Sequence, residues 1–231
     1  RESFARSEAG MAKFTVLTST YDNGPTLEYA IESLRAQSFG DWEHVIVGDG
    51  AVDSAREIAQ RYVAEERRAS FIDSPKGEGR GELLRHAALQ QTGGELICYL
   101  NDDDLWLTDH LIEMLRLIEG VDFAHSATVA AFADGSYYPY LVDLSLPYYR
   151  ERMQAGDNWI SPLTVVHTRA AYQRVEGWKT AAPGDYSDLT LWQQFVGDPA
   201  MRLRSSGAVT ALHLPHHDPK REPGDRARID Q

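Results

Sequence analysis

The sequence is poor in cysteine and in long apolar runs, and both absences narrow the class of protein it encodes. A single cysteine, Cys98, excludes a disulfide or a cysteine-zinc cluster within one chain. It lies in the apolar stretch ELICYL, which predicts a buried small side chain rather than a nucleophile. No apolar run approaches the roughly 20 residues that cross a bilayer, and the first residues lack the order of a signal peptide. We therefore expect no transmembrane segment and a cytoplasmic location.

Positive charge is also scarce. Lysine and arginine number 23 against 35 aspartates and glutamates, a formal net charge of -12. This balance argues against a nucleic-acid or anionic-membrane partner, since both attract basic surfaces. The sequence has no G-x-S-x-G elbow, and GEGRGE at 77–82 lacks the spacing of a dinucleotide fingerprint or a P-loop. A phosphate-containing ligand would need locally concentrated cations or a metal ion.

The 231 residues suffice for one domain with a substantial core. Residues 1–10 have no apolar period and are expected to be a tag or a disordered leader. One domain is predicted over 11–217. Near residue 120 the alternation of strand and helix patterns gives way to aromatic-rich runs. The polar, proline-broken segment 218–231 is expected to be a flexible tail.

Strand and helix patterns alternate four times before residue 120, which predicts an α/β fold with a mainly parallel, doubly wound sheet. The predicted strands are 14–18, 42–48, 70–73 and 95–100, and the helices are 27–34, 53–63, 82–91 and 107–118. After 120, a hairpin around Asp134-Gly135 predicts added antiparallel strands. Helices at 148–153 and 187–195 and strands at 163–167 and 201–212 complete the prediction.

Three consecutive carboxylates, Asp102, Asp103 and Asp104, directly follow the fourth predicted strand. Ligands of such sheets bind beyond the carboxyl ends of the strands, so this position favours a site. Like charges side by side repel, and a helix N-terminus, a metal ion or water must compensate them. We expect Asp104 to serve the start of the following helix. For the others, a Mg²⁺ or Mn²⁺ site and a solvated acidic turn are the alternatives.

Residues 14–55, FTVLTSTYDNGPTLEYAIESLRAQSFGDWEHVIVGDGAVDSA, resemble the opening of the family 2 glycosyltransferases of GT-A fold, and the similarity extends from Phe14 to His216. The resemblance implies transfer of a sugar from a nucleotide diphosphate donor, a nucleotide-binding half at 11–120 and an acceptor half at 121–217. It implies that Asp49 contacts the donor base, usually uracil, although the preceding aspartate of the family pair is absent. Thr18, Thr20 and Asp22 are implied to line the same pocket.

The segment RGELLRHAALQQTGGELICYLNDDDLWLTDHL resembles the family stretch that runs into its Asp-x-Asp metal motif. Asn101 stands at the first aspartate of that motif and is implied to hold the donor ribose. Asp102 takes the variable place beside the nucleotide, and Asp103 is the implied ligand of Mn²⁺ or Mg²⁺. Arg85 matches a basic position on the preceding helix, with a phosphate-binding or a structural role. In ALHLPHH, His216 is the expected second metal ligand, with His213 next.

The segment RAAYQRVEGWKTAAPGDYSDLTLWQQF resembles the family region that carries the catalytic base. Aligning its Leu-Trp pair puts Asp188 in that role, with Asp185 as the alternative, and a single base implies an inverting transfer. A catalytically silent nucleotide-sugar-binding protein is one rival, since the family glutamate before Asp188 is absent. A sugar nucleotidyltransferase is a second, but TSTYDNGP lacks the glycine-rich basic loop such an enzyme carries. The acceptor remains open, and Tyr137 and its neighbours could line a sugar groove or form core.

Overall fold

The first half of the chain forms the predicted parallel sheet. In the computed structural model, which describes residues 12–182 and 184–215, the elements of this half are β1 (Phe14–Thr20), α1 (Gly24–Arg35), β2 (Trp42–Asp49), α2 (Asp53–Glu65), β3 (Ala69–Ser74), α3 (Glu82–Leu89) and β4 (Leu96–Tyr99). The four strands pair in the order β3-β2-β1-β4, all parallel. Each lies within a few residues of its prediction.

The second half adds strands to the free edge of β4. These elements are β5 (Leu105–Trp106), α4 (His110–Leu117), β6 (Phe123–Ala131), β7 (Tyr137–Tyr140), α5 (Pro147–Gln154), a 3₁₀ turn (Pro162–Thr164), β8 (Val165–Thr168), α6 (Arg169–Arg174), α7 (Ser187–Gly197) and β9 (Leu203–His213). The sheet continues β4-β8-β6-β9-β5, and β7 pairs with β6 as the predicted hairpin. The pairs β4-β8, β6-β8 and β5-β9 are antiparallel, which confirms the added antiparallel region.

Alternating side chains of the strands bury two faces of the sheet. Val16 and Cys98 pack toward α1 and α4, whereas Leu17 and Ile97 pack toward α3 and α7. Cys98 is fully buried, as predicted, and burial raises the pKa of its thiol. Coverage of both faces is what a doubly wound sheet requires.

Two local predictions differ from the structure, and one helix was not predicted. The helix expected from 107 begins only at His110, because Leu105 and Trp106 first pair with the end of β9. Of the strand expected at 163–167, the first two residues lie in the 3₁₀ turn. The sequence patterns also missed α6, a six-residue helix whose N-cap, Thr168, accepts a hydrogen bond from the amide of Ala171 at 3.1 Å.

No helix in the described ranges is both long and apolar enough to cross a membrane. The predicted leader at 1–10, the predicted tail at 218–231 and His216 all lie outside the described residues.

Candidate active site

A cavity of about 310 Å³ opens beyond the carboxyl ends of β1 and β4, where ligands of parallel sheets bind. It is bounded by α3 on one side and by the first turn of α7 on the other. Its lining residues are Leu17, Ser19, Arg85, Tyr99, Leu100, Asn101, Asp102, Asp103, Pro162, Trp178, Ser187 and Asp188. Of the residues expected from the sequence, five meet here: Arg85, Asn101, Asp102, Asp103 and Asp188.

Asp104 does not start a helix, so that prediction was wrong. The carboxylate is fully buried, and the next helix begins six residues later. One oxygen, Oδ1, accepts from His213 Nδ1 and from the amide of Leu214, both at 2.8 Å. The other, Oδ2, accepts from Asn101 Nδ2 at 2.7 Å. Asp104 thus ties the acidic loop to the end of β9, with both oxygens occupied.

This arrangement gives Asn101 a physical role. The Asn101 amide donates to Asp104 at 2.7 Å. An aspartate at position 101 would instead place a second carboxylate at this short distance, and the two charges would repel each other. Compared with an aspartate, the asparagine at 101 therefore gives the loop one negative charge fewer and supplies a hydrogen-bond donor to the Asp104 carboxylate. The three remaining carboxylates diverge: Asp104 faces His213, Asp102 Oδ1 accepts from Asn23 Nδ2 at 3.1 Å, and Asp103 lines the cavity.

The electrostatics of the acidic loop favour a cation beside Asp103. Burial, together with the charges of Asp104 and Asp102, raises the pKa of Asp103 to about 7, against the opposing effect of His213. Burial also raises the pKa of Asp102, against the hydrogen bond from Asn23. Burial lowers the pKa of His213, but its hydrogen bond to Asp104 and the charges of Asp104 and Asp103 outweigh this, and the net shift is upward.

The residues present suit a cation whose coordinating oxygens come mainly from a bound substrate and from water, with only one or two from the protein. The described ranges contain no group of three or more histidine, cysteine, aspartate or glutamate side chains able to hold a metal by themselves. Asp104 is occupied, and His213 Nδ1 faces Asp104. Mg²⁺ and similar ions commonly take one or two protein carboxylates and complete their shell with phosphate oxygens and water. Asp103 and Asp102 match that donor set.

Arg85 supplies positive charge on the α3 side of the cavity. Its Nε donates to Ser19 Oγ at 2.9 Å, and its guanidinium lies 4.6 Å from the ring centroid of Trp178. Burial lowers the pKa of Arg85, and the opposing effect of nearby acidic groups, including Glu82 and Asp188, is smaller. A guanidinium partly desolvated in this way is suited to bind a phosphate.

At the end of β1, the residue that lines the cavity is Ser19 and not the predicted Thr18 or Thr20. Ser19 lines the cavity, whereas Thr18 and Thr20 are buried and are not among its lining residues. The Thr18 hydroxyl lies 2.9 Å from Nε2 of the buried His44. Sequence reasoning missed Ser19, although strand period together with the positions of Leu17 and Arg85 could have indicated it.

Asp49 lies at the end of β2 but is not among the lining residues of the cavity. Its Oδ1 accepts from the amide of Gly77 at 2.7 Å, and its Oδ2 pairs with Lys76. Gly50 follows with φ of 71°, and a Cβ there would lie 2.8 Å from the Lys76 side chain, so glycine is required. Asp22 is exposed in the loop after β1.

Asp188 reaches the cavity from the first turn of α7. Burial raises the pKa of its carboxyl, opposed by hydrogen bonds from Asn158, from its own amide and from that of Leu189, and by the charge of Arg85. Asp185 is exposed in the preceding loop and does not line the cavity. Placement therefore favours Asp188 over Asp185 as the group that meets a ligand. Asn158, which the sequence patterns did not indicate, lies far away in the chain and is joined to the site only by folding.

The chain belongs to glycosyl transferase family 2, whose sequence model matches residues 15–175. It is 30% identical over 130 residues to the uncharacterized glycosyltransferase YwdF of Bacillus subtilis, a match covering 55% of this chain and 47% of that protein. The chain thus spans about half the length of that relative.

Two solved structures share the GT-A fold with this chain. TarS of S. aureus, in complex with UDP-GlcNAc, superposes with a TM-score of 0.67 at 19% identity, over 89% of this chain and 59% of that one. The mannosyltransferase PcManGT of Pyrobaculum calidifontis, in complex with GDP-Man and Mn²⁺, gives a TM-score of 0.66 at 17% identity, over 93% and 60%. At these identities the likeness establishes the fold.

Proposed function

We propose that this chain transfers a sugar from a nucleotide diphosphate donor, a UDP-sugar, to an acceptor hydroxyl with inversion of the anomeric carbon. The observation that carries the proposal is one cavity that brings together Asp103, Arg85 and Asp188. These supply a cation-binding carboxylate, a phosphate-binding cation and a half-buried carboxylate with a raised pKa. Family membership and the GT-A fold support it.

In the proposed reaction, the acceptor oxygen forms a bond to the anomeric carbon as the bond from that carbon to the diphosphate breaks. The electron pair of the broken bond leaves with the diphosphate, and the acceptor proton passes to Asp188. Arg85 faces the developing negative charge of the diphosphate. A Mn²⁺ or Mg²⁺ ion held by Asp103, with Asp102 beside it, would supply Lewis-acid stabilisation of that leaving group when bound.

Asp49 is proposed to contact the donor base. The groups that already contact its carboxylate restrict how the base can bind. Lys76 and the amide of Gly77 already occupy its two oxygens. A uracil imide that binds Asp49 must therefore share or displace the Lys76 ammonium. Asn101, with its amide nitrogen held by Asp104, is proposed to face the ribose.

An aromatic surface adjoins Asn158, whose side chain contacts Asp188. Trp159, the neighbour of Asn158, stacks on Tyr148 with ring centroids 6.1 Å apart and an interplanar angle of 26°. Tyr148 is 59% exposed, so the surface is open to a ligand. Flat apolar faces with polar edges suit sugar rings, and we assign this surface to the acceptor.

The test compares Asp188→Asn with Asp185→Asn, a matched change three residues away. Release of UDP from a panel of UDP-sugars with Mn²⁺ is measured with candidate acceptors, and binding of each donor is measured by calorimetry. We expect Asp188→Asn to lose about 10²- to 10⁴-fold in rate with donor affinity retained, and Asp185→Asn to stay near wild type. Full activity in Asp188→Asn would refute the base assignment.

The rival functions give different results in the same assays. A silent binder would bind the donor and never release UDP with any acceptor. A nucleotidyltransferase would release pyrophosphate from UTP and a sugar 1-phosphate. Either result would replace the proposal.

A further inference from the structure

The structure assigns to Asn158 the role of positioning residue for the catalytic base. Its Nδ2 donates to Oδ2 of Asp188 at 2.9 Å. Asn158 lies after α5 and Asp188 lies in the first turn of α7, so the bond joins two segments 30 residues apart. The inference rests on the proposed function, because it concerns the group that would take the acceptor proton.

The other end of the Asn158 amide distinguishes this contact from ordinary packing. Its Oδ1 is buried and has no hydrogen-bond partner within the described residues. Leaving a buried carbonyl unpaired costs about 1–3 kcal/mol, and amides kept for packing usually have both ends satisfied. The side-chain amide of Asn158 donates its hydrogen bond to Asp188.

The bond acts on the carboxylate in two ways. The bond holds one carboxylate oxygen, Oδ2, in place and so restricts rotation of the carboxylate. It also favours the charged form, because an N–H donor stabilises a carboxylate more than a carboxylic acid. Burial has the opposite effect and raises the pKa of Asp188. Without the amide donor, less would oppose the effect of burial, and the pKa of Asp188 would rise further.

The other groups around Asp188 do not replace this donor. The amides of Asp188 and Leu189 at the start of α7 also stabilise the charge, as does Arg85 on α3. Arg85 is itself engaged with Ser19, and the carboxyl group of Asp103, which lines the same cavity, offers no donor when ionised. Asn158 is the side-chain donor in direct hydrogen-bond contact with the carboxylate.

Two variants and one control test the role. Asn158→Ala removes the amide, and Asn158→Asp keeps its shape while replacing the donor with a second carboxylate. Gln154→Ala is the control, because the Gln154 amide also anchors α7, through Gln193 O at 2.8 Å, without touching Asp188. Thermal unfolding of each variant confirms that it folds before the comparison is made.

The direct readout is the pKa of the Asp188 carboxyl, followed by ¹³C NMR titration of the full chain with the signal assigned from Asp188→Asn. We expect an upward shift of about one pH unit in Asn158→Ala, a larger shift in Asn158→Asp and none in Gln154→Ala. The acid limb of kcat/KM against pH should move by the same amount, with the high-pH plateau little changed.

Two contrary outcomes are separable. An Asp188 pKa unchanged in both Asn158 variants would overturn the positioning role, whether or not the protein transfers sugars. A shifted Asp188 pKa with an unmoved rate profile would instead show that Asp188 is not the base. In that case the base assignment fails, and the catalytic role of Asn158 fails with it.

Discussion

His44 is expected to make the fold sensitive to acid. The imidazole is fully buried between Thr18 and Tyr62, with Nε2 2.9 Å from the threonine oxygen and Nδ1 3.2 Å from the tyrosine oxygen. Burial lowers the pKa of His44 from 6.5 to about 3, partly opposed by the charge of Glu66. Because the unfolded chain binds a proton first as pH falls, stability is lost from about pH 6.5 downward, until about pH 3.

The size of the effect follows from this shift. Each pH unit between those limits costs about 1.4 kcal/mol for one site. Between pH 7.5 and 5.0, protonation of the unfolded state at His44 should therefore lower the free energy of unfolding by about 2 kcal/mol. The total pH dependence includes opposing groups, such as Asp103 with its raised pKa. A comparison with a variant cancels those shared contributions.

The perturbation is His44→Gln, which can still donate to and accept from its neighbours but cannot titrate. Urea unfolding followed by tryptophan fluorescence gives the free energy of unfolding at several pH values. Relative to the variant, the wild type should lose about 2 kcal/mol between pH 7.5 and 5.0. Tyr62→Phe is the control, since it removes a partner of His44 but leaves the ring to titrate. A wild-type-to-variant difference that does not change with pH would refute the reasoning.

Three further predictions concern other parts of the chain. Asp103→Asn should weaken Mn²⁺-dependent binding of UDP about tenfold or more, measured by calorimetry, while metal-independent binding changes little; equal loss with and without Mn²⁺ would contradict a metal role. Arg169→Ala should lower the free energy of unfolding by about 3 kcal/mol, because its guanidinium donates to Gly94 O, Leu89 O and two threonine hydroxyls. The exposed Arg174→Ala should cost under about 1 kcal/mol in the same denaturation series, and a similar loss in both would contradict the argument. Gly50→Ala should cost at least about 1 kcal/mol by thermal unfolding, since its positive φ and the close Lys76 disfavour a side chain; an unchanged midpoint would contradict this.

The sequence patterns predicted the parallel half of the sheet well because its elements are long and periodic. They missed β5 and α6, which have two and six residues and are too short to show a period. The Asp104 prediction failed for the same reason: the two-residue strand at Leu105–Trp106 delays the helix, and the carboxylate instead meets His213 from the other end of the chain.

Sequence alone determined the family, the strand-helix order and the segments that reach the carboxyl edge of the sheet, because these follow from local periodicity and continuous motifs. Tertiary structure decided which side chains face the cavity and which partner each carboxylate takes. Asn158 and Asp188 are 30 positions apart, and His213 and Asp104 are 109 apart. Contacts of this kind depend on how β9, α5 and α7 pack around the sheet, and no local pattern records that packing.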